Sequence, residues 1–308
     1  MKFKRNKFLS LRLYVGACAE FCRSMAIFFS LTISAQDTFP RIYESNTWNP
    51  IGFEEIEEKF KSVDVILIGE EHDDKVGHSE KLKLIRFLSE RQNFIISMEM
   101  FERDGQVVLN EYLAGLIDEK LFQSDCKLWN NYEDYKPIVL FAKENKIPIL
   151  AANAPRRYVR ILSRNGLEEM YKFPSASRKF FAPIYTVERY RQESYENKIF
   201  GSIAGHTSEK LGMKNMILAQ NLWDATMTDS ILKTNEKKRT KIIHINGRFH
   251  SDEYMGVTHR LKEFGLKVLT ISMFVHRTPE PPNQTQLKKY ADIIYITGAN
   301  LPNKEKGE

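Results

Sequence analysis

The chain contains six short apolar runs, and their composition predicts strands that are covered on both faces. The runs are rich in Ile, Val and Leu and mostly lack a strict alternation of polar and apolar positions, as is typical of buried parallel strands. Helical periodicity separates most of them and is clearest in three segments. The predicted strands are 64–69, 93–100, 148–153, 241–247, 267–274 and 291–297, and the predicted helices are 79–92, 136–145 and 257–264.

Strands that alternate with helices predict βαβ units, a mainly parallel sheet and a three-layer α/β/α sandwich. Residues 155–235 depart from this pattern, because they contain no strand-like run and many aromatic residues. We expect a helical subdomain there, inserted between the third and fourth predicted strands and ending in a long helix over 215–233. A single α/β domain with this insert is expected to span 37–301, and the polar residues 302–308 are expected to form a disordered tail.

Composition and charge narrow the class of protein. Of the 308 residues, 42% are hydrophobic and 28% are charged, which excludes disordered, collagen-like and coiled-coil proteins. The formal net charge of +6 lies mostly in residues 1–36, so the body of the chain shows no excess of basic residues of the kind that a nucleic-acid partner requires. Three cysteines are too few for a disulfide scaffold.

Residues 1–36 have the pattern of an export signal. A basic start is followed by an apolar stretch at 25–33 and by a small residue, Ala35, before a candidate cleavage point. The sequence Val-Gly-Ala-Cys that ends at Cys18 resembles a lipobox, in which Cys18 would be lipidated, and an uncleaved membrane anchor is a third interpretation. We therefore expect an exported protein, periplasmic or associated with the outer membrane, with lipid anchoring left open.

One motif occurs twice, each time directly after an apolar run. Gly-Glu-Glu-His follows the first predicted strand at 69–72, and Gly-Arg-Phe-His follows the fourth at 247–250. Ligands of open parallel sheets bind outside the carboxyl ends of the strands, and glycine lets the chain leave a strand sharply. If the two strands are neighbours, His72 and His250 face one cleft. The alternative is that each is a surface or capping histidine.

Polar residues also follow the second and third predicted strands. Glu99 lies inside an apolar run, where an unpaired carboxylate is costly, so it needs a histidine, arginine or metal partner or it becomes protonated. Asn153 ends the next strand and is expected at the same edge of the sheet. Arg156 and Arg157 come shortly afterwards, and they either pair with carboxylates or begin a solvated helix.

Five long segments carry a family resemblance, and they occur in matching order along the chain. They are VILIGEEHDD (65–74), SMEMFERDGQ (97–106), YKPIVLFAKENKIPILAANAPRRYV (135–159), AQNLWDATMTDSI (219–231) and HINGRFHSDEYMGV (244–257). Over roughly residues 60–297 the chain resembles the haem-binding ChaN-like lipoproteins. The paired Gly-x-x-His motif is shared, more distantly, with Tiki-type metalloproteases and erythromycin esterases.

The resemblance implies a three-layer α/β sandwich with a helical part, export to the cell envelope, and non-covalent haem binding, often at a dimer interface. It also implies a role in iron or haem acquisition or handling. The chain departs from the family pattern in its marginal lipobox and in the acidic Ser-Asp-Glu that follows His250.

The same resemblance suggests site residues. Glu71, Glu99, Asn153 and the two motif histidines match functional positions of the family. A tyrosine is implied as the axial ligand of the haem iron, a role that suits the known ligand types, with histidine near the propionates. The candidate tyrosines are Tyr112, Tyr132 and Tyr135, and the candidate groups for the propionates are His206, Arg156 and Arg157.

Two functions of different class follow. The first, which we favour, is an exported haem-binding protein without chemistry of its own, whose partners are haem, a second copy of the chain and an outer-membrane haem receptor. No Cys-x-x-Cys-His motif occurs, so c-type covalent attachment of the haem is not expected. The alternative is a hydrolase in which a divalent metal or a His–Glu general base activates water. Its candidate residues are His72, His250, Glu71 and Glu99.

Overall fold

Seven strands form one sheet in the order β1-β7-β6-β2-β5-β3-β4. The computed structural model describes residues 41–203, 210–238, 240–277 and 283–299, all within the compact unit Phe39–Glu308. Neighbouring strands are parallel except β1, which runs antiparallel to β7. The strands are β1 (Arg41–Glu44), β2 (Val65–Glu70), β3 (Phe94–Glu102), β4 (Ile149–Asn153), β5 (Lys241–Gly247), β6 (Val268–His276) and β7 (Ile293–Ala299).

All six predicted apolar runs are strands, which confirms the mainly parallel α/β fold. The sequence missed β1, because its four residues, Arg-Ile-Tyr-Glu, form no apolar run. Three other expectations, the export signal at 1–36, His206 and the tail at 302–308, lie outside the described residues.

The described helices connect and cover the strands. They are α1 (Phe53–Lys61), α2 (Lys75–Ser89), α3 (Gln106–Leu113), α4 (Glu119–Asp125), α5 (Tyr132–Glu144), α6 (Arg156–Asn165), α7 (Ser175–Arg178), α8 (Ile184–Arg189), α9 (Glu193–Ile203), α10 (Lys210–Lys238), α11 (Gly256–Glu263) and α12 (Gln284–Leu287). Within the described ranges no helix is long and apolar enough to cross a membrane.

The two faces of β2 show how the sheet is covered. Ile66 and Ile68 pack into a core with α1, α2 and α5, whereas Val65 and Leu67 pack against α10 and α11 on the opposite face. Because successive side chains of a strand point to opposite faces, a strand buried on both sides has to be apolar throughout. The continuous apolar run that predicted β2 therefore has its origin in the three-layer architecture.

Between β4 and β5 the described residues form helices and no strand. α10 is 29 residues long and extends beyond the expected 215–233 at both ends. It packs against α6, and the two helices share a separate apolar core that includes Tyr158, Leu162, Phe181 and Leu222. This helical segment lies next to the carboxyl end of β4, so it stands beside the edge of the sheet where the motifs were expected.

The outer edge of β4 is covered by one side chain. The Gln106 amide donates to the carbonyl of Ile149 at 2.9 Å and accepts from the N–H of Ala151 at 2.7 Å, as a neighbouring strand would. An exposed strand edge invites pairing with other chains, so this contact both stabilises β4 and blocks its edge.

We predict that Gln106→Ala lowers the free energy of unfolding by about 1–2 kcal/mol, because two backbone groups at the edge of β4 lose their partner. Urea denaturation measures the change. Gln123→Ala is the matched control, since the Gln123 amide bonds the exposed Glu119 side chain, and it should change stability by less than about 0.5 kcal/mol. Equal losses in the two variants would contradict the role given to Gln106.

Candidate functional site

The two Gly-x-x-His turns lie side by side because β2 and β5 are adjacent parallel strands. Glu70 at the end of β2 is paired in register with Gly247 at the end of β5. The chain then leaves β5 through a short 3-10 turn, Arg248–His250. The sequence prediction that the motif strands are neighbours at one edge is confirmed.

Glycine is required at position 247 because the His72 ring lies against the backbone there. A Cβ atom at this position would lie 2.6 Å from Nε2 of His72 and 3.7 Å from Oε2 of Glu99. Because real Cβ contacts are never as short as the first of these, a side chain at Gly247 would displace the His72 ring. Here glycine serves the packing of the two turns rather than an unusual backbone angle.

Glu99 comes from β3, the strand on the other side of β5. Its Oε2 accepts the N–H of Gly247 at 2.7 Å, and its Oε1 lies 3.4 Å from Nε2 of His250. Burial opposes ionisation of Glu99, but the charge and hydrogen bond of His250, with smaller contributions from His72 and the Gly247 N–H, outweigh burial and lower its pKa to about 2. The expected partner of Glu99 is therefore His250, and the carboxylate is ionised.

His250 is held between two carboxylates. Its Nδ1 lies 2.6 Å from Oδ1 of Asp224, a fully buried residue of α10, and its Nε2 faces Glu99. Burial alone would lower the pKa of His250, but Glu99 and Asp224 together raise it to about 10. At neutral pH the ring is an imidazolium that joins the ends of β3 and β5 to α10.

His72 has a different environment. Its Nδ1 lies 3.0 Å from Oε1 of Glu70 and 3.1 Å from the hydroxyl of Tyr135, which itself donates to the same Glu70 oxygen at 2.6 Å. The ring also packs edge-on against Trp129, with 5.0 Å between ring centroids. Burial lowers the pKa of His72, with Glu99 opposing that effect, so the ring is neutral at neutral pH.

The two imidazoles border two neighbouring hollows at the same edge of the sheet. His250 and Glu99 line a cavity of about 810 Å³, whereas His72 and Gly247 line a second, more open hollow of about 660 Å³. Trp129 lines the first cavity and touches His72 at the border of the second. We call the first the main cavity.

The main cavity lies between the carboxyl ends of β3 and β4 and the helices α6, α9 and α10. Part of its lining is apolar and aromatic, and the rest is polar or charged. The apolar side chains are Trp129, Val159, Ile199, Met216, Ala219 and Trp223, and the polar ones are Glu99, Glu102, Asn153, Arg156, Arg160, Ser163, Ser202, Gln220 and His250.

A family model described as haem-binding uptake, Tiki superfamily, ChaN, matches residues 56–261. The chain belongs to this ChaN family. The family assignment agrees with the resemblance in the sequence and includes both Gly-x-x-His turns and all of the helices that border the main cavity.

One solved structure shares the fold of this ChaN-family chain, and more distant ones were also found. ChaN of Campylobacter jejuni, solved with cofacial haem, is 17% identical with a TM-score of 0.66, and the match covers 85% of this chain and 98% of that one. A Bacillus cereus protein is 12% identical with a TM-score of 0.46, covering 81% and 92% of the two chains. An erythromycin esterase mutant in its open conformation is 12% identical with a TM-score of 0.41, covering 80% and 79%. No curated protein matches the chain.

None of the three candidate tyrosines lines the main cavity of this ChaN-family chain. Tyr135 is fully buried behind His72, and Tyr112 and Tyr132 pack around Phe122 in the core of the α1, α2 and α5 face. Tyr112 and Tyr132 are therefore core aromatics rather than groups positioned for a ligand. Tyr135 instead orients the His72 ring through the Glu70 carboxylate.

The two candidate arginines, Arg156 and Arg157, lie in different environments. Arg156 lines the main cavity with its guanidinium 5.6 Å from the centre of the Trp129 ring. Arg157 pairs with Asp104 and lies over the ring of Tyr158, so its charge is already matched. Arg160, one helical turn after Arg156, also lines the cavity and was missed, although i,i+4 spacing on α6 places it on the same face.

The sequence analysis also missed three site residues, Asp224, Trp129 and Trp223. Asp224 and Trp223 lie in the family-like segment 219–231, which was the only signal for them, because α10 has no clear polar and apolar stripe that would single out one face. Asn153 reaches the cavity as expected, with its side-chain oxygen accepting the N–H of Ala154 at 2.9 Å.

Three of the four residues proposed as metal ligands are paired: Glu99 and His250 with each other, and Glu71 with arginines. Glu71 pairs with Arg248 at 3.3 Å and with Arg277 at 2.5 Å, next to His72 in the second hollow. Both ring nitrogens of His250 face carboxylates, Nδ1 facing Asp224 and Nε2 facing Glu99. Within the described ranges no group of three or more His, Cys, Asp or Glu residues is arranged to hold a metal ion.

We predict that His250→Gln lowers the free energy of unfolding by about 3 kcal/mol near pH 6, because Glu99 and Asp224 lose their shared cation. The pKa of His250 rises on folding, so its stabilisation is complete below the usual value of 6.5 and is lost as pH rises towards about 10. The difference between wild type and variant should therefore shrink above pH 6.5.

Denaturant unfolding at several pH values measures this difference. His259→Gln on α11 is the control: burial lowers the pKa of His259, so no stabilisation should be lost in the same alkaline range. A stability difference for His250→Gln that stays constant between pH 6.5 and about 10 would disprove the charge assignment.

Proposed function

We propose that this ChaN-family chain binds haem non-covalently in the main cavity. The observation that carries the proposal is the cavity itself: about 810 Å³ at the carboxyl edge of the sheet, with two tryptophans and several aliphatic side chains in its walls. Cavities of about 300–1,000 Å³ hold cofactor-sized molecules, and sites at this edge are usual in parallel α/β folds. Support also comes from membership of a haem-binding family.

The lining suits both the macrocycle and the propionates of haem. Trp129, Trp223 and Val159 offer flat or aliphatic surface for the macrocycle, where buried apolar contact provides most of the binding free energy. Arg156 and Arg160 offer two cations from one face of α6, and guanidinium groups bind carboxylates through paired hydrogen bonds. Arg156 thus keeps the role expected for it with the propionates, and Arg160 replaces Arg157.

Two described lining residues, Met216 and His250, are of types that ligate haem iron. His250 is held as an imidazolium by Glu99 and Asp224, which leaves the thioether of Met216 as the free candidate. Bound haem would supply an iron centre; the chain's own residues provide the apolar walls, the cationic group for the propionates and the ligand.

We further propose that the protein is exported and acts in haem or iron acquisition or handling at the cell envelope, as a homodimer with an outer-membrane haem receptor as partner. The basic start and apolar stretch within residues 1–36 support export. Mass spectrometry of the mature protein distinguishes cleavage after Ala35 from lipidation of Cys18, and light scattering with and without haemin measures the oligomeric state.

Metal-dependent hydrolysis is the alternative, and the geometry favours it less. Glu71 is paired with two arginines, and His250 is charged, so these two of the four candidate ligands would have to give up strong partners before they could bind a metal. Metal content by elemental analysis, measured on wild type and on His72→Ala, tests this alternative directly.

We predict a Soret band that saturates when purified protein is titrated with haemin. Arg156→Ala and Arg160→Ala should each weaken binding about threefold to tenfold, because each removes a partly solvent-screened charge contact with a propionate. Arg164→Ala, an exposed arginine on the same helix, is the control and should bind haemin as wild type does. Met216→Leu should shift the visible spectrum.

Failure of wild type to bind haemin at stoichiometric concentration would refute the proposed function. If Arg156→Ala and Arg160→Ala bind haemin as wild type does, the protein binds haem, but the propionates do not lie beside these two arginines.

A further inference from the structure

Glu102 is a cavity residue that the haem site as described does not use. β3 and β4 pair with a register shift between Met98 and Glu102, and the shift places Glu102 opposite Asn153. β3 thereby continues past the expected end of its strand and carries a second carboxyl group to the main cavity, three residues after Glu99.

The Glu102 side chain is buried, with 6% of its surface exposed, and only one of its two carboxyl oxygens has a hydrogen-bond partner among the described residues. Oε1 accepts the backbone N–H of Arg156 at 3.1 Å, whereas Oε2 has no hydrogen-bond partner among the described residues. The Arg156 guanidinium is no close partner, since its Nε lies 3.8 Å from Oε1 and its side chain is 54% exposed. Buried carboxyl oxygens are rarely left unpaired, so this one points to a group supplied by a ligand.

The surroundings of Glu102 favour its neutral form. Burial raises its pKa, the Arg156 N–H lowers it, Asp104 raises it, and Lys127 and Arg156 lower it by smaller amounts. The net direction is upward, opposite to that of Glu99, whose carboxylate has the His250 imidazolium beside it. A carboxyl group that holds its proton can donate a hydrogen bond, which a carboxylate cannot.

We propose that the Glu102 carboxyl group binds an acidic group of the ligand in the main cavity by donating a hydrogen bond to its carboxylate, beside the cation of Arg156. In haem this acidic group is a propionate, so the inference rests on the proposed function. The proton stays on Glu102 in the complex, and the ligand oxygen accepts it.

This arrangement makes binding depend on pH in one direction. While Glu102 is protonated, it offers a donor to the carboxylate of the ligand. When pH rises and Glu102 ionises, the donor is lost and two carboxylates oppose each other in a buried site. Asp104, Lys127, Arg156 and Cys126 also surround this group, but they are the same in the two proteins compared below.

The test compares wild type with Glu102→Gln, because glutamine keeps the acceptor for the Arg156 N–H, offers an N–H donor and cannot ionise. Haemin affinity is measured by titration of the Soret band from about pH 4.5 to 8, a range that starts at the ordinary carboxyl pKa and extends well above it. We expect similar affinities at the acid end and at least about fivefold weaker binding by wild type at the alkaline end, the size of one lost hydrogen bond.

Two further measurements separate the causes. Haemin dimethyl ester, which lacks the acidic groups, should bind wild type and Glu102→Gln with the same pH dependence. Glu102→Leu, neutral but without a donor, should bind haemin more weakly than Glu102→Gln throughout the range. Glu58→Gln, which alters an exposed carboxylate on α1, is the control and should follow the wild-type profile.

Identical pH profiles for haemin in wild type and Glu102→Gln would overturn the inference while leaving haem binding intact. No haemin binding by wild type would overturn the proposed function and the inference with it. Infrared difference spectra of the ligand-free proteins give a readout that needs no haem: a band of a protonated carboxyl that disappears in Glu102→Gln supports the assignment, and its absence at acid pH overturns it.

Discussion

The charge cluster of His250, Glu99 and Asp224 is the interaction on which the rest of the site depends. Its three members come from the turn after β5, from β3 and from α10, and each would be costly to bury alone. Together they satisfy one another, so the two strands and the long helix have to meet at one point. That meeting point fixes α10 over the carboxyl edge of the sheet, and α10 in turn forms one wall of the main cavity.

The two Gly-x-x-His turns share a sequence pattern but not an environment. His250 lies between two carboxylates and is charged, while His72 is part of a network with Glu70 and Tyr135 and is neutral. One imidazole therefore stabilises the architecture of the cavity, and the other lines a separate and more open hollow. The shared motif does not decide between these roles, and only the partners of each ring do.

The carboxyl end of β3 shows the same principle with two carboxyl groups. Glu99 and Glu102 both line the main cavity, yet the pKa of the first is lowered and that of the second is raised. Burial acts on both in the same sense, and the difference comes from the imidazolium that only Glu99 has beside it. The cavity thus presents two buried carboxyl groups of different acidity, in addition to the cations of α6.

Much of the fold followed from the sequence, because a strand buried on both faces has to be apolar along its whole length. This constraint identified six of the seven strands. Because ligand sites of parallel sheets lie at the carboxyl ends of the strands, it also identified the edge at which the two motifs meet. The short strand β1, which contains no apolar run, was not identified. The need of Glu99 for a partner was also evident, since a carboxylate inside an apolar run cannot stay unpaired.

Which partner each group has was decided only by the tertiary structure. Asp224 reaches His250 because α10 packs across β4 and β5, and the separation of Arg156 from Arg157 depends on which side of α6 faces the cavity. The burial of Tyr112 and Tyr132 in the core follows from helix packing in the same way. The sequence by itself determined the strands and the charged residues at their ends; distances of a few ångströms between side chains far apart in the chain depend on how the layers pack, and a one-dimensional pattern does not contain that information.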